Sequence, residues 1–475
     1  MSGSDGLPGA EAIGRERGAP DTIAPDTIAF VPPRFGPGVI GGAEAVLAEA
    51  AAGLAARGHN VEILTTCAKD HFTWANDFPE GVFSVDAAAV IGDAMRAGAT
   101  TGPGNGPLDT AADAIDLTEG GPTLTVRRFA VEMDTPGITR DRVGNRILAG
   151  DRISIQDQQL WMNDSLRCSG LWDHVFDNGQ RYRALVFAPY MFWTTFAVSQ
   201  INPERSIIMP CLHDEPPAAL DIFASMIEGA HGVWFLTEPE RDLGHRLYRV
   251  PARNTIVGAS VDVPESYAPG EFRLEYEIEG PYVYYGGRRE WGKGWDDLVA
   301  GYLRYLSTRR GRPAVKLVTS GVGEIEVPPA AQGQLIDVGL LSDRQRDNAM
   351  AGAIAYLQPS AMESFSRTVL EALLASTPVI ANRASDVVSW HLELSNGGLT
   401  YDSEAELVQC LDFVSDEPEA AEALVRDGRA YVTDRYRLPL VIDRMEAALD
   451  QWLPIDRRAM ASGAAAVAAG GGIES

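Results

Sequence analysis

The sequence has little of what marks a secreted or membrane-spanning protein. Its four cysteines (Cys67, Cys168, Cys211 and Cys410) show no CxxC pair and no metal-ligand spacing, which predicts reduced thiols in the cytoplasm. No basic segment followed by an apolar core opens the chain, so a secretory signal is not expected. The longest apolar run, residues 184–198, is too short to cross a bilayer. We therefore expect a soluble, cytoplasmic protein.

Positive charge is also scarce. The 40 lysine and arginine residues face 66 aspartate and glutamate residues, for a formal net charge of −26. Nucleic acid is disfavoured as a partner because its phosphates would be repelled. Contact with an anionic membrane would be at most peripheral, through a local basic patch.

The chain is long enough for two to three domains at 475 residues. Both ends have the composition of disordered tails, because residues 1–26 are rich in Gly, Pro and Ala and residues 457–475 in Ala, Gly and Ser. Residues 84–122 are rich in Ala, Gly and Asp and predict a mobile insertion ahead of a strand. That insertion is either an acceptor-binding loop or simply a solvated one.

The first ordered segment, residues 27–66, has the pattern of a strand, a glycine-rich turn, a helix and a second strand. The turn contains Gly36, Gly38, Gly41 and Gly42, and glycines let a backbone approach a phosphate closely. Their spacing is neither GxGxxG nor a Walker motif, so a dehydrogenase is disfavoured. The turn either contacts a ligand or is an ordinary glycine-rich turn without a ligand.

A cluster of polar side chains follows a buried strand near position 210. His213, Asp214 and Glu215 come directly after it, where open α/β sheets bind their ligands. The alternative is a capping cluster for the helix predicted at 218–230. No second ligand pair has metal spacing, so no metal is expected.

Two cations lie on a glycine-containing loop after the strand at 282–285. Arg288 and Lys293 are five positions apart. A guanidinium fork and a mobile ammonium group suit a diphosphate. The alternative is a pair of solvated surface charges.

Residues 353–381 have the pattern of strand, loop, helix and strand, with Glu363 in the loop and Glu371 inside the helix. If Ser364 or Ser366 caps the helix, its first amides are free to hold a phosphate. Carboxylates accept hydrogen bonds from the diols of a sugar or ribose, so the arrangement suits a sugar nucleotide. The alternative is an amphipathic helix with two incidental glutamates. The free amides would be those of Phe365, Ser366, Arg367 and Thr368.

This stretch resembles the E-x7-E signature of retaining glycosyltransferases of family 4. The resemblance covers about residues 27–452 and implies an α/β GT-B fold, with two Rossmann-like domains facing each other across a cleft. It implies an N-terminal acceptor domain at 27–250, a donor domain at 251–435 and, at 436–456, a helix that crosses back to the first domain. The family usually has glycine where this chain has Ser366 and Ser376.

The resemblance also implies a role for each motif. Glu363 would hold the donor sugar, Glu371 the ribose, and Arg288 and Lys293 the departing pyrophosphate. His213 would lie near the reacting carbon of the donor sugar. The catalytic residues that the resemblance implies are His213, Arg288, Lys293 and Glu363. The donor-binding set is Gly41, Gly42, Val338, Ser364, Phe365, Ser366, Arg367, Thr368 and Glu371.

The activity that the resemblance implies is retaining, front-face transfer of a sugar from a nucleotide-diphosphate sugar to an acceptor hydroxyl. No metal or other cofactor is expected. The acceptor is open: a sugar, a lipid-linked molecule or a small molecule. The alternatives are a sugar phosphorylase, an epimerase and a non-catalytic sugar-nucleotide-binding protein.

Overall fold

The computed structural model describes residues 23–39, 41–71, 73–90, 121–132, 138–309 and 311–455. Most of the two predicted tails and of the predicted insertion therefore lies outside the described residues. Within the described part of the chain, no helix has both the length and the apolar character needed to cross a membrane.

The first domain is built on a sheet whose central strands are short and buried, as parallel strands covered on both faces are. Its strand order is β3-β4-β2-β1-β5-β6-β7-β8, and every pair is parallel except the antiparallel edge pair β3–β4. The strands are β1 (Ile28–Val31), β2 (Val61–Thr66), β3 (Gly81–Asp86), β4 (Thr123–Phe129), β5 (Ala184–Phe187), β6 (Ser206–Ile208), β7 (Gly232–Phe235) and β8 (Asn254–Ile256).

The second domain has an all-parallel sheet of order β11-β10-β9-β12-β13-β14. Its strands are β9 (Tyr282–Gly286), β10 (Lys316–Ser320), β11 (Leu335–Asp337), β12 (Ala355–Gln358), β13 (Val379–Asn382) and β14 (Gly398–Tyr401). Two such α/β domains confirm the predicted fold class.

Helices cover both sheets. In the first domain they are α1 (Gly42–Ala56), α2 (Ile138–Leu148), α3 (Ile155–Asn163), α4 (Ser169–Asn178), α5 (Trp193–Phe196), α6 (Asp221–Gly229) and α7 (Glu238–Leu247). In the second they are α8 (Pro269–Glu275), α9 (Trp295–Thr308), α10 (Asp343–Ala351), α11 (Arg367–Leu374), α12 (Asp386–Ser395), α13 (Glu404–Asp416), α14 (Pro418–Ala423), α15 (Gly428–Thr433) and α16 (Leu438–Trp452).

Helix α16 crosses back to the first domain, as the resemblance implied. A side chain at Gly53 of α1 would collide with Ile442, because its Cβ would lie 2.6 Å from Ile442 Cδ1. At the other end of α16, a Cβ at Gly232 of β7 would lie 2.6 Å from the Trp452 ring, which occupies the space beside that glycine. The two glycines therefore let α16 pack directly on the first domain.

The structure corrects two predicted boundaries. Residues 254–256, assigned to the second domain, pair in parallel with Val233–Phe235 and extend the first sheet. They are only half buried, so they lack the apolar run that marks an inner strand. Residues 84–86, assigned to the insertion, belong to β3, an edge strand paired with β4 that is also largely half-exposed.

Candidate functional site

The loop between β12 and α11 brings together two of the predicted residues. Lys293 donates a hydrogen bond from Nζ to Glu363 Oε1 at 2.9 Å. Lys293 reaches this loop because Gly294, at φ 71° in the left-handed region, lies against Pro359; a Cβ there would be 2.6 Å from the Pro359 carbonyl oxygen. Glycine at 294 is therefore required for the close approach that joins the two motifs.

The predicted serine cap of α11 is wrong. Ser366 precedes the helix at φ 58° and makes no capping bond; instead its Oγ accepts a hydrogen bond from Gln358 Nε2 at 2.8 Å. Ser376, after the helix, has φ 57°. Both serines thus hold the left-handed conformation that glycine adopts freely, at roughly 1–2 kcal/mol each. The first amides of α11, at Arg367 and Thr368, still lack helical acceptors.

Glu371 lies in a nearly enclosed position on α11, with 12% of its side chain exposed. Its Oε1 is 3.3 Å from Arg346 Nη2 and 3.9 Å from Arg367 Nε. Its Oε2 is buried without a hydrogen-bond partner among the described residues. Leaving a buried acceptor unpaired costs about 1–3 kcal/mol, so this oxygen is placed to receive a hydroxyl group of a ligand.

The surroundings of Glu371 are rich in carboxylates. Burial and then the charge of Glu371 raise the pKa of Asp347 to about 7. Burial also raises the pKa values of Asp262 and Asp343. Negative charge in this region therefore exceeds what Arg346 neutralises. Among the described residues no group of three His, Cys, Asp or Glu side chains is placed to hold a metal ion.

Arg367 connects this region to the first domain. Its Nη2 lies 2.5 Å from Oε1 of Glu49 on α1, whose side chain is 1% exposed. Ser260 Oγ donates a hydrogen bond to the other carboxylate oxygen of Glu49. A second contact joins the domains nearby, since Thr237 Oγ1 donates to the Ser364 carbonyl oxygen at 3.2 Å. Two residues of the predicted donor set thus lie at the domain interface.

The carbonyl group of Phe365 is held by a buried histidine. His391 places Nε2 2.9 Å from the Phe365 oxygen and Nδ1 2.7 Å from the Tyr431 hydroxyl. Burial lowers the pKa of His391 to about 4, so the ring is neutral, donates from Nε2 and accepts at Nδ1. This fixes the loop that carries Glu363.

Arg288 lies across the cleft from the first domain. It is half exposed and forms an ion pair with Glu290 at 3.1 Å. The pKa of His71, in the loop after β2, is lowered by burial and then by the positive charges of Arg34 and Arg288. The second-domain cation is therefore close enough to the first domain to act on its electrostatics.

Gly41 and Gly42 begin α1, and their environments differ. A Cβ at Gly41 would lie 2.0 Å from Glu44 Oε2, so this glycine makes room for the buried Arg34–Glu44 ion pair, whose Nη2–Oε1 distance is 2.5 Å. A Cβ at Gly42 would meet no atom within 4 Å. Gly42 therefore faces open space and is the better placed of the two for a ligand.

His213 lies after β6, one third exposed, with Nδ1 3.6 Å from Glu215 Oε1. The Tyr190 hydroxyl donates to the same oxygen at 2.9 Å. Buried Glu240 holds this loop, because it accepts hydrogen bonds from the amides of Leu212 (2.8 Å) and Leu236 (2.6 Å). No hydrogen bond or ion pair within the described ranges joins His213 to Glu363 or Lys293, so His213 stays apart from that pair.

Val338 follows β11, where the resemblance implies contacts to the base. Its N–H donates to the Thr319 carbonyl at 2.9 Å. A base contact at Val338 would therefore use its carbonyl group. Gly339, at φ 71°, then turns the chain toward α10.

Four supporting residues were absent from the sequence-based site: Glu49, Thr237, Arg346 and His391. Glu49 had a detectable signal, because it and Glu44 are the only charged residues in an otherwise apolar α1. The other three have no such signal, since each reaches the site from an element distant in sequence.

The comparisons with known proteins bear on the fold. No family model matches the chain, and no curated protein matches it. Solved structures similar to it include a sucrose-phosphate synthase from Thermosynechococcus elongatus (14% identity, TM-score 0.61, 90% of this chain and 98% of that one). HepE from Anabaena with UDP-glucose has 14% identity and a TM-score of 0.59 over 90% and 99% of the chains.

A glycosyltransferase from Rickettsia africae has 14% identity and a TM-score of 0.56 over 90% and 98% of the two chains. At such identities these likenesses show the fold alone. The fold is that of the GT-B glycosyltransferases.

Proposed function

We propose that this protein is a retaining glycosyltransferase that moves a sugar from a nucleoside-diphosphate sugar to an acceptor hydroxyl without a metal ion. One observation carries the proposal: Lys293 and Glu363 meet at 2.9 Å in the loop before α11, and Glu371 lies one turn inside that helix. Glu363, then Lys293 with the free helix amides, and then Glu371 would follow the order of a sugar nucleotide, which is sugar, pyrophosphate and ribose.

The donor would lie along the second domain. The unpartnered Oε2 of Glu371 accepts a hydrogen bond from a ribose hydroxyl, and the amides of Arg367 and Thr368 hold a phosphate oxygen. Glu363 binds hydroxyls of the sugar. Lys293 lies beside the bond that breaks.

The chemistry needs little beyond positioning and charge. The acceptor oxygen attacks the anomeric carbon on the face that the diphosphate leaves, and its proton passes to the departing phosphate oxygen. Negative charge grows on the diphosphate as the bond breaks. Lys293 and Arg288 stabilise that charge, which removes the need for a metal.

Thermal unfolding with UDP, GDP, ADP and dTDP tests the donor class. HepE is a structure with UDP-glucose, so UDP is the first choice. A ligand at a hundred times its dissociation constant adds roughly 2.7 kcal/mol to the folded state. We expect one nucleotide to stabilise the protein and to lose that effect in Glu371→Ala. If none does, the sugar-nucleotide assignment fails.

The stereochemistry has its own test. NMR of the first product formed from an α-linked donor should show an α-linked sugar, in protein treated with EDTA as well as untreated. A β-linked product would contradict retention. Loss of activity in EDTA that Mg²⁺ restores would contradict metal independence. A requirement for inorganic phosphate without nucleotide would favour a phosphorylase.

A further inference from the structure

Positive charge without a counter-charge is concentrated on the first-domain wall of the cleft. The chain has only three lysines, at 69, 293 and 316, and two of them are at the cleft. Lys293 pairs with Glu363, and Arg288 pairs with Glu290. The second-domain cations therefore have carboxylate partners within their own domain.

Lys69 differs, because it forms no ion pair with any described residue. It follows β2 and is exposed. Its ammonium group lies over the glycine-rich turn, 3.2 Å from where a Cβ of Gly38 would be. Gly38 is at φ 71°, so a side chain there would be both strained and in contact with Lys69.

Arg128, at the carboxyl end of β4, is a second cation without a carboxylate partner in the described part of the chain. Its side chain is over nine-tenths buried, and its Nε has no hydrogen-bond partner among described residues. Its Nη2 donates to the Phe35 carbonyl at 3.4 Å. The rings of Phe78 and Phe83 lie 4.8 and 5.1 Å from the guanidinium carbon. Burial lowers its pKa, as expected for an uncompensated charge.

The two cations flank one turn. Arg128 Nη2 is 3.1 Å from the Cβ position of Gly36, and Lys69 Nζ is 3.2 Å from that of Gly38. Residues two apart are separated by at most about 7 Å along the chain. His71 in the same region has a pKa lowered by burial and by Arg34 and Arg288, which outweigh Glu44 and Asp70. The local potential is therefore positive, in a chain of net charge −26.

We propose that Lys69 and Arg128, with Arg34 and His71 beside them, form an anion subsite that binds a phosphate group of the acceptor. We call this set the first-domain cation cluster. The inference rests on the proposed function and extends it: the acceptor is a sugar or polyol phosphate monoester. A buried guanidinium without a carboxylate is expensive, and a phosphate dianion supplies the missing charge and several acceptors.

The cluster is assigned to the acceptor because the donor diphosphate already has partners on the other wall. Arg288, Lys293 and the amides of α11 all belong to the second domain. An acceptor phosphate at Gly36 and Gly38 would anchor the molecule on the first domain, leaving its hydroxyl to face the donor sugar. A positively charged region on the first domain of an acidic protein would also draw such an anion in.

Inorganic phosphate is the probe, because it represents the phosphate group that all phosphate monoesters have in common. Binding of phosphate is measured calorimetrically at constant ionic strength, with and without saturating UDP, against chloride as the reference anion. We expect phosphate to bind alongside UDP, and Lys69→Ala to weaken it about tenfold while leaving UDP affinity unchanged. Lys316→Ala is the matched control, since it removes the remaining lysine far from this turn. Arg128→Lys keeps the charge but loses the fork, and should weaken phosphate without unfolding the protein.

The proposal is overturned if phosphate binds no better than chloride, if UDP displaces it, or if Lys69→Ala weakens UDP as much as phosphate. If phosphate binds but no nucleotide binds, the anion subsite is supported and the glycosyltransferase assignment is contradicted. With UDP bound, glucose 6-phosphate and glycerol 3-phosphate should each bind at least about tenfold tighter than glucose and glycerol. Equal binding of the phosphorylated and parent compounds contradicts the acceptor class.

Discussion

The two walls of the cleft have opposite electrostatic character. On the first domain, Arg34 and Arg288 add to burial in lowering the pKa of His71. On the second, Glu371 adds to burial in raising the pKa of Asp347 to about 7. Positive charge therefore opposes protonation of His71 on the first domain, and negative charge opposes ionisation of Asp347 on the second. The second domain combines this carboxylate-rich region around Glu371 with the separate cations Arg288 and Lys293.

The contrast also shows how each wall manages its charges. Lys293 and Arg288 have carboxylate partners within the second domain, whereas Lys69 and Arg128 have none in the described ranges. The two cations of the first domain would gain a counter-charge when an anion binds, as the proposed phosphate subsite requires.

The largest effect should come from removing the paired cation. Lys293→Ala should lower turnover about 10²- to 10³-fold, because charge on the leaving diphosphate loses its stabilising donor. Release of nucleoside diphosphate from the donor measures it. Lys316→Ala, which removes a lysine outside the cleft, should behave as wild type. Normal turnover in Lys293→Ala would remove the diphosphate assignment.

The contact between the walls can be broken at Glu49. Glu49→Gln leaves Arg367 without its buried partner, and should lower the free energy of unfolding by about 3 kcal/mol in urea titration. Glu238→Gln breaks a largely exposed pair with Arg241 and should cost under about 1 kcal/mol. Equal losses in the two variants would mean that the Glu49 pair does not hold the domains together.

Glu371→Ala tests the carboxylate-rich region of the second domain around Glu371, which we call the carboxylate wall. Nucleotide affinity should fall about 30-fold, equivalent to about 2 kcal/mol, since a charged hydrogen-bond acceptor of the ribose is lost. Calorimetric titration with UDP measures this. Glu393→Ala, an exposed change in the same domain, is the control. An unchanged affinity would place the ribose elsewhere.

The carboxylate wall should also have a pH signature. Burial and then the charge of Glu371 raise the pKa of Asp347 from its ordinary value of 3.8 to about 7, so between about pH 4 and 7 the folded state keeps a proton that the unfolded state has lost. Stability therefore falls as pH rises through that window. Glu371→Gln lowers the pKa of Asp347 and should reduce this fall by about 1 kcal/mol. Asp347→Asn should remove the Asp347 contribution; an identical pH profile would contradict it.

The smallest effect tests whether the walls face each other. Arg288→Ala should raise the pKa of His71, because a positive charge that opposes its protonation is gone. NMR titration of the imidazole signals measures it. His231, whose pKa is set by burial and by the Trp452 carbonyl, should titrate as before. An unmoved His71 would mean that Arg288 points away from the first domain.

The candidate residues of the second domain were easier to find from the sequence than those of the first domain, for a physical reason. Glu363 and Glu371 lie on one loop and helix, and Arg288 and Lys293 on one loop, so their spacing along the chain reflects their arrangement in space. Arg34, Lys69 and Arg128 come from three strand ends that only the folded sheet brings together. No local pattern contains that information.

Conformation was harder to predict than residue type. Ser366 stands where the family usually has glycine, and its backbone adopts the left-handed conformation typical of glycine. Its side chain does not cap α11, contrary to the prediction. Strand β8 was assigned to the wrong domain because three half-buried residues do not show which sheet they join until their partner strand is known. Glu49 and Arg367 attract each other across 318 positions, a pairing that no periodicity reveals.

Helix α16 has a consequence for how the protein is made. The first sheet is complete at Ile256, yet Ile442 and Trp452 fill spaces beside Gly53 and Gly232. The ribosome needs roughly 10–40 s to add the intervening residues at typical rates of translation. During that time the nascent first domain exposes an uncovered apolar surface. Chaperone binding to ribosome-bound chains should therefore persist until α16 has emerged from the exit tunnel.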